Sequence, residues 1–169
     1  MALPLSLPRS AHGFTLFEVL IAVLVLSLGL LGLAALQSAG LRSNHSAYHR
    51  SQATQFAYDI IDRMRGNKAI AEAAGYDLAM TAPPPSSPPD CITNPCSAAQ
   101  LATYELNNWI QSLNVVLPSG DGAVACGPAG GPPVPCAAGL VVTVTVAWDD
   151  NRNGLNTDPN ENFAMSTQL

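Results

Sequence analysis

The sequence predicts an α+β chain: one long N-terminal helix, apolar in its first half and amphipathic in its second, packed on a small antiparallel-sheet head. Three observations predict it. Residues 19–41 form an uncharged apolar run. Residues 45–65 repeat apolar side chains at three- and four-residue spacing. Residues 140–148 alternate in the period of a strand.

The apolar run is rich in Leu, Val and Ala, with Gly29, Gly32 and Gly40 inside it. As a helix it is long enough to cross about 30 Å of hydrocarbon. Its glycines would either let neighbouring helices approach closely or be soft points in a helix with no partner. Beyond it, Phe56, Ile60 and Met64, with Ala53, Ala57 and Ile61 beside them, make an apolar stripe, while Arg50, Asp59, Asp62 and Arg63 take polar directions. Gly66-Asn67 is a stop signal, and Arg63 and Arg65 complement the negative end of the helix dipole. Residues 68–76 extend or follow this helix as a short Ala-rich piece. In 81–95, Pro83, Pro84, Pro85, Pro88 and Pro89 prevent regular pairing, so this stretch reads as an exposed, semi-rigid loop.

Ser97 and Gln100 have the spacing of a capping box for a second helix, with Leu101, Tyr104, Trp109, Ile110 and Leu113 as its apolar positions. It ends before Leu117-Pro118. Ser119 to Gly122 reads as a turn and 123–126 as a short strand, followed by Gly/Pro-rich residues 127–135. In the clearest strand Val142, Val144, Val146 and Trp148 alternate with Val141, Thr143, Thr145 and Ala147. Phe163 and Met165 alternate with polar residues and predict a last strand paired with it.

The chain has 169 residues and a formal net charge of -5. With the first 13 residues and the long helix set aside, roughly 100 residues remain for one small head domain. Its modest core gains from cross-links. There is no basic stripe, so nucleic acid is not indicated.

One carboxylate, Glu18, stands at the head of the apolar run. An ionised carboxylate at the bilayer centre costs roughly 2.5–3.5 kcal/mol even on lenient insertion scales, so such a residue needs a partner. Before it lies a short leader with Arg9 and His12 but no apolar core of its own, unlike a secretory signal. Basic charge on the leader favours keeping it in the cytoplasm; Arg42, beyond the span, opposes that bias.

The segment Gly13-Phe14-Thr15-Leu16-Phe17-Glu18, between that leader and the apolar run, resembles the class III signal of type IV prepilins and type II secretion pseudopilins. The resemblance implies cleavage between Gly13 and Phe14 by prepilin peptidase, followed by N-methylation of Phe14. It also implies that Glu18 pairs with the N-terminal amine of a neighbouring subunit as helices stack, which offsets much of the burial cost of each charge. The anchor would stay on the mature protein. The competing readings are an uncut signal anchor and a secretory signal cut near Ser38-Ala39. Many major pilins carry a proline about two-thirds of the way through this segment, where this chain has Ala34 and Ala35.

Trp109-x-x-x-Leu113, then Leu117-Pro118-x-Gly120-x-Gly122 and a strand, together with Arg63-Met64-Arg65-Gly66-Asn67, is similar to the type IV pilus modification minor pilins, the PilV group. The implied organisation is a prepilin leader at 1–13, a long helix at 14–66 with its transmembrane part at about 14–41, and a periplasmic head at 67–169. The implied function is that of a minor pilin, a structural subunit in pilus assembly or priming, first in the inner membrane and then in the filament or at its tip. Its partners would be prepilin peptidase and other minor and major pilins. A minor pseudopilin of type II secretion is the alternative of the same class; a membrane-tethered binding module or enzyme is the alternative of another class.

The four cysteines, Cys91, Cys96, Cys126 and Cys136, all follow the span, and a periplasmic head favours disulfides. Of the three pairings, the local one, 91 with 96 and 126 with 136, is preferred because each bridge closes a proline-containing loop. The crossed pairings would fasten the Pro-rich loop to the strand region. Asp149, Asn151, Asn153 and Gly154 fit the first half of a calcium loop, but the twelfth position is Asn160 and Glu161 falls one residue late. A polar hairpin turn uses the same residue types. His45 and His49 lie one helical turn apart, with no third metal ligand evident in the sequence. No nucleophile elbow or phosphate loop is present, so the chain is not expected to be an enzyme, and no cofactor beyond calcium is expected.

Overall fold

The computed structural model describes residues 13–85, 87–127, 134, 136, 137, 139, 141–150 and 161–169. The elements are α1 (Leu16–Gly66), α2 (Lys68–Ala71), α3 (Ala98–Val116), β1 (Asp121–Cys126), β2 (Val141–Ala147) and β3 (Asn162–Gln168). The chain divides into two compact units, Met1–Asn44 and His45–Leu169, and α1 contributes to both. The architecture is α+β, a long N-terminal helix with a small three-stranded antiparallel sheet.

In the first unit, α1 is a helix of apolar side chains, and every described residue is exposed. In the second, α1 buries His49, Ala53, Ala57, Ile60, Ile61 and Met64. Their three- and four-residue steps put them on one face. Phe56 sits beside that stripe, half-buried against the core. Arg63 and Arg65, in the last turn, pair with Asp59 and Asp62 at 3.0 and 2.9 Å. Such surface pairs contribute little to stability.

α3 begins with the reciprocal capping box. The Gln100 N–H donates to Ser97 Oγ at 3.3 Å, and the Ser97 N–H donates to Gln100 Oε1 at 2.9 Å. Ala102, Leu106, Trp109, Ile110 and Leu113 form its buried face, whereas Leu101 and Tyr104 are half-buried. Trp109 ties α3 to α1, its indole Nε1–H donating to the Phe56 carbonyl at 2.9 Å.

The sheet is a meander in the order β1-β2-β3. Val144 of β2 stands opposite Val124 of β1 and Met165 of β3. Val142, Val144 and Val146 face the core, as strand alternation requires. Leu78 exchanges two 2.9 Å backbone hydrogen bonds with Val124, which occupies part of the outer edge of β1.

One boundary differs from the sequence expectation. Asp121 and Gly122 are the first residues of β1, not the end of a turn. A Cβ on Gly122 would lie 2.4 Å from the Trp109 ring, so this glycine is needed for close packing of strand on helix. The run of Ser, Gly and Asp at 119–122 carries a local turn signal, whereas the indole above the strand is a tertiary fact.

Candidate functional site: the start of the long helix and the cross-linked head

At its start α1 is capped by Thr15, whose Oγ1 accepts from the Glu18 N–H at 3.2 Å. Glu18 therefore lies in the first turn, where a carboxylate complements the positive end of the helix dipole. Gly13, Phe14, Leu16 and Phe17 are exposed around it. Among the described residues, a Cβ built on Gly13 meets nothing within 4 Å. Glycines 29, 32 and 40 likewise have no neighbour within 4 Å. α1 is the one helix among the described residues that is long and apolar enough to cross a membrane, and its apolar window is wholly unburied.

The head carries no catalytic arrangement in its described residues; its polar groups hold loops in place. Disulfides join Cys91 to Cys96 and Cys126 to Cys136. The first cross-link sits at the surface, where Asp90 accepts from the N–H groups of Ile92 and Thr93 at 3.1 and 3.2 Å and from the Thr93 hydroxyl. Those donors hold the Asp90 carboxyl below the usual carboxylate range. The second is buried and fastens the end of β1 to the segment that follows it.

The Pro-rich loop is exposed yet anchored. Buried Asn107 of α3 donates to the Pro85 carbonyl at 2.8 Å, and the Thr81 N–H donates to Asp121 at 2.8 Å. Asn107 escaped sequence reading because a buried Asn is indistinguishable from a surface one by helical spacing.

Below that loop, Tyr76 is buried with its hydroxyl bonded to Glu105, and Asn67 Nδ2–H donates to its oxygen at 3.3 Å. Burial first, then the Glu105 carboxylate, push the phenol well above its ordinary value, so it stays a donor at physiological pH. Asp77 is raised above the usual carboxylate range by burial, opposed by the Cys136 N–H that it accepts at 3.3 Å.

At the end of β2, Asp149 is buried, and its N–H donates to the Pro118 carbonyl at 2.8 Å. Asn151 and Asn153, the other calcium candidates, lie outside the described residues. His45 and His49 do share a face, with ring centroids 4.3 Å apart. The structure adds Asp150, whose carboxylate lies 4.0 Å from His49 Nε2. No sequence signal links Asp150 to these histidines, because only the fold brings the β2 exit to α1.

Residues 8–34 match the prokaryotic N-terminal methylation motif, and residues 35–107 match the family model of type IV pilin Tt1218. No curated protein and no solved structure matches the chain. The two family matches abut within α1. The first contains Gly13, Phe14 and Glu18, and the second runs from the end of the apolar half through α2 and into α3. The motif implies processing by prepilin peptidase and other pilins as partners, and type IV pilins are a structural rather than an enzymatic family. Residues 35–107 are therefore similar to a type IV pilin, and residues 8–34 carry the N-terminal methylation motif.

Proposed function

We propose that this chain is a minor pilin of a type IV pilus, of the pilus modification (PilV) group, acting in assembly or priming of the filament. Cleavage occurs between Gly13 and Phe14, and Phe14 is N-methylated. The apolar half of α1 sits in the inner membrane before assembly, with the head periplasmic, and in the filament core afterwards. Glu18 pairs with the Phe14 amine of a neighbouring subunit and sets the stacking register.

The observation that supports this reading is the apolar first half of α1, fully exposed within its own unit and headed by a single carboxylate. Apolar side chains over this length need lipid or other helices around them. Placing Glu18 and the amine within the same bundle offsets the cost of an isolated charge in hydrocarbon.

Mass spectrometry of the mature N-terminus, with and without a prepilin peptidase, tests it. The expected product begins at methylated Phe14 and appears only with the peptidase. An intact leader, or a cut near Ala39, would remove the basis for filament entry. Recovery of the processed chain in sheared pili distinguishes a pilus subunit from a pseudopilin of type II secretion.

A further inference from the structure

We propose that His45, His49 and Asp150 form a binding site for a divalent transition metal of the zinc class. One ligand atom from each residue can be chosen so that all three lie within 4.8 Å of one another. The histidines are at i and i+4 on α1, the spacing that puts two imidazoles over one turn of helix face. Their rings meet edge to face, with an interplanar angle of 84°. Asp150 arrives from the other side, three residues past the end of β2.

The backbone that carries Asp150 is fixed before any metal binds. Trp148 is fully buried, and its N–H donates to the Glu161 carbonyl at 2.9 Å. The Asp149 N–H donates to Pro118, a contact on a different segment. His49 is buried in the head, while His45 is exposed and Asp150 half-buried. One ligand is thus held by packing, and the other two approach it from exposed and half-buried positions. Preorganisation of this kind is what a metal site needs.

Zinc bonds of about 2.0–2.2 Å in a tetrahedral site put ligand atoms roughly 3.3–3.5 Å apart. The 4.0 Å from His49 Nε2 to Asp150 Oδ1 exceeds that by about half an ångström, a gap that side-chain rotation closes. Two imidazoles and a carboxylate select zinc and its neighbours over calcium, which takes six to eight oxygens. The exposed side of His45 leaves a fourth position for water or a further ligand. Bound metal would clamp the start of the head's α1 segment to the exit of β2.

The full mature chain, purified in detergent without a histidine tag, is titrated with zinc chloride and then with cobalt(II) chloride. Wild type is expected to hold about one zinc per chain and to give the visible absorption of tetrahedral cobalt. His45→Gln and Asp150→Asn alter exposed or half-exposed side chains and should retain the far-UV circular dichroism of the wild type. Each should weaken zinc binding at least about tenfold and abolish the cobalt spectrum. A wild type that holds no more zinc than either variant would overturn the site. So would displacement of the zinc by equimolar calcium.

Discussion

The two halves of α1 have the same backbone conformation and opposite surroundings. From His45 onward the helix buries a stripe of Ala53, Ala57, Ile60, Ile61 and Met64 under α3 and the sheet. Before it, apolar residues such as Val19, Leu24, Leu28 and Leu31 are all exposed within their own unit. The exposed half is the more hydrophobic of the two, which is the pattern of a membrane-crossing run followed by an amphipathic one. The head's half includes small residues, Ala53 and Ala57, in its buried stripe. The first half has bulky side chains around its whole circumference, as befits a helix covered on all sides by lipid or by other helices. The difference separates two tasks, folding within one chain and association outside it.

That separation can be broken most sharply in the core. Trp109→Ala removes the buried ring that fills the space above Gly122 and donates to Phe56. The expected loss is about 3–5 kcal/mol of head stability. Leu24→Ala, in the exposed half, should change head unfolding by less than about 0.5 kcal/mol. Thermal melts of the detergent-solubilised chain check both, and a large Leu24 effect would show that the apolar half supports the head directly.

Next in size come the cross-links. Replacing both Cys126 and Cys136 with Ser should cost about 2–4 kcal/mol, because a buried bridge that closes the larger loop is lost. The same change at Cys91 and Cys96, with a sequence separation of only 5, should cost less. Equal losses in denaturant titrations would contradict this ranking. Ser97→Ala removes one leg of the capping box and should cost about 1 kcal/mol by the same measurement.

The smallest effect is electrostatic. Burial raises the folded-state pKa of Asp77, so the native head holds this proton more tightly than the unfolded chain does. Its contribution to stability is fully present below the ordinary carboxylate pKa and is lost as pH rises through the raised folded value. Asp77→Asn should therefore melt higher than wild type at pH 7, and the gap should close as the pH falls toward about 4. A gap that widens on acidification would contradict the assignment.

Local signals were legible wherever local chemistry decides the outcome. The Ser97–Gln100 box starts α3, Leu117-Pro118 follows its end, Gly66 closes α1, and the Val/Thr alternation makes β2 the central strand. The local cysteine pairing belongs to the same class, since each bridge in the structure joins residues close in sequence. What escaped the sequence depends on contacts between distant segments. Gly122 is a strand residue because of Trp109, Asn107 is buried because it holds Pro85, and Asp150 reaches His49 because β2 ends beside α1. For the candidate site, Gly13, Phe14 and Glu18 lie inside the 8–34 match to the methylation motif, a linear signal that needs no fold to be read.

In the proposed filament the apolar half of α1 is completed by neighbouring subunits, held in register through Glu18. The most direct measurement is the amount of Glu18→Ala chain in sheared filaments, beside wild type, with the N-terminus of each verified as processed Phe14. The expected result is a processed but poorly incorporated Glu18→Ala chain, retained in the membrane fraction. Incorporation equal to wild type would contradict it.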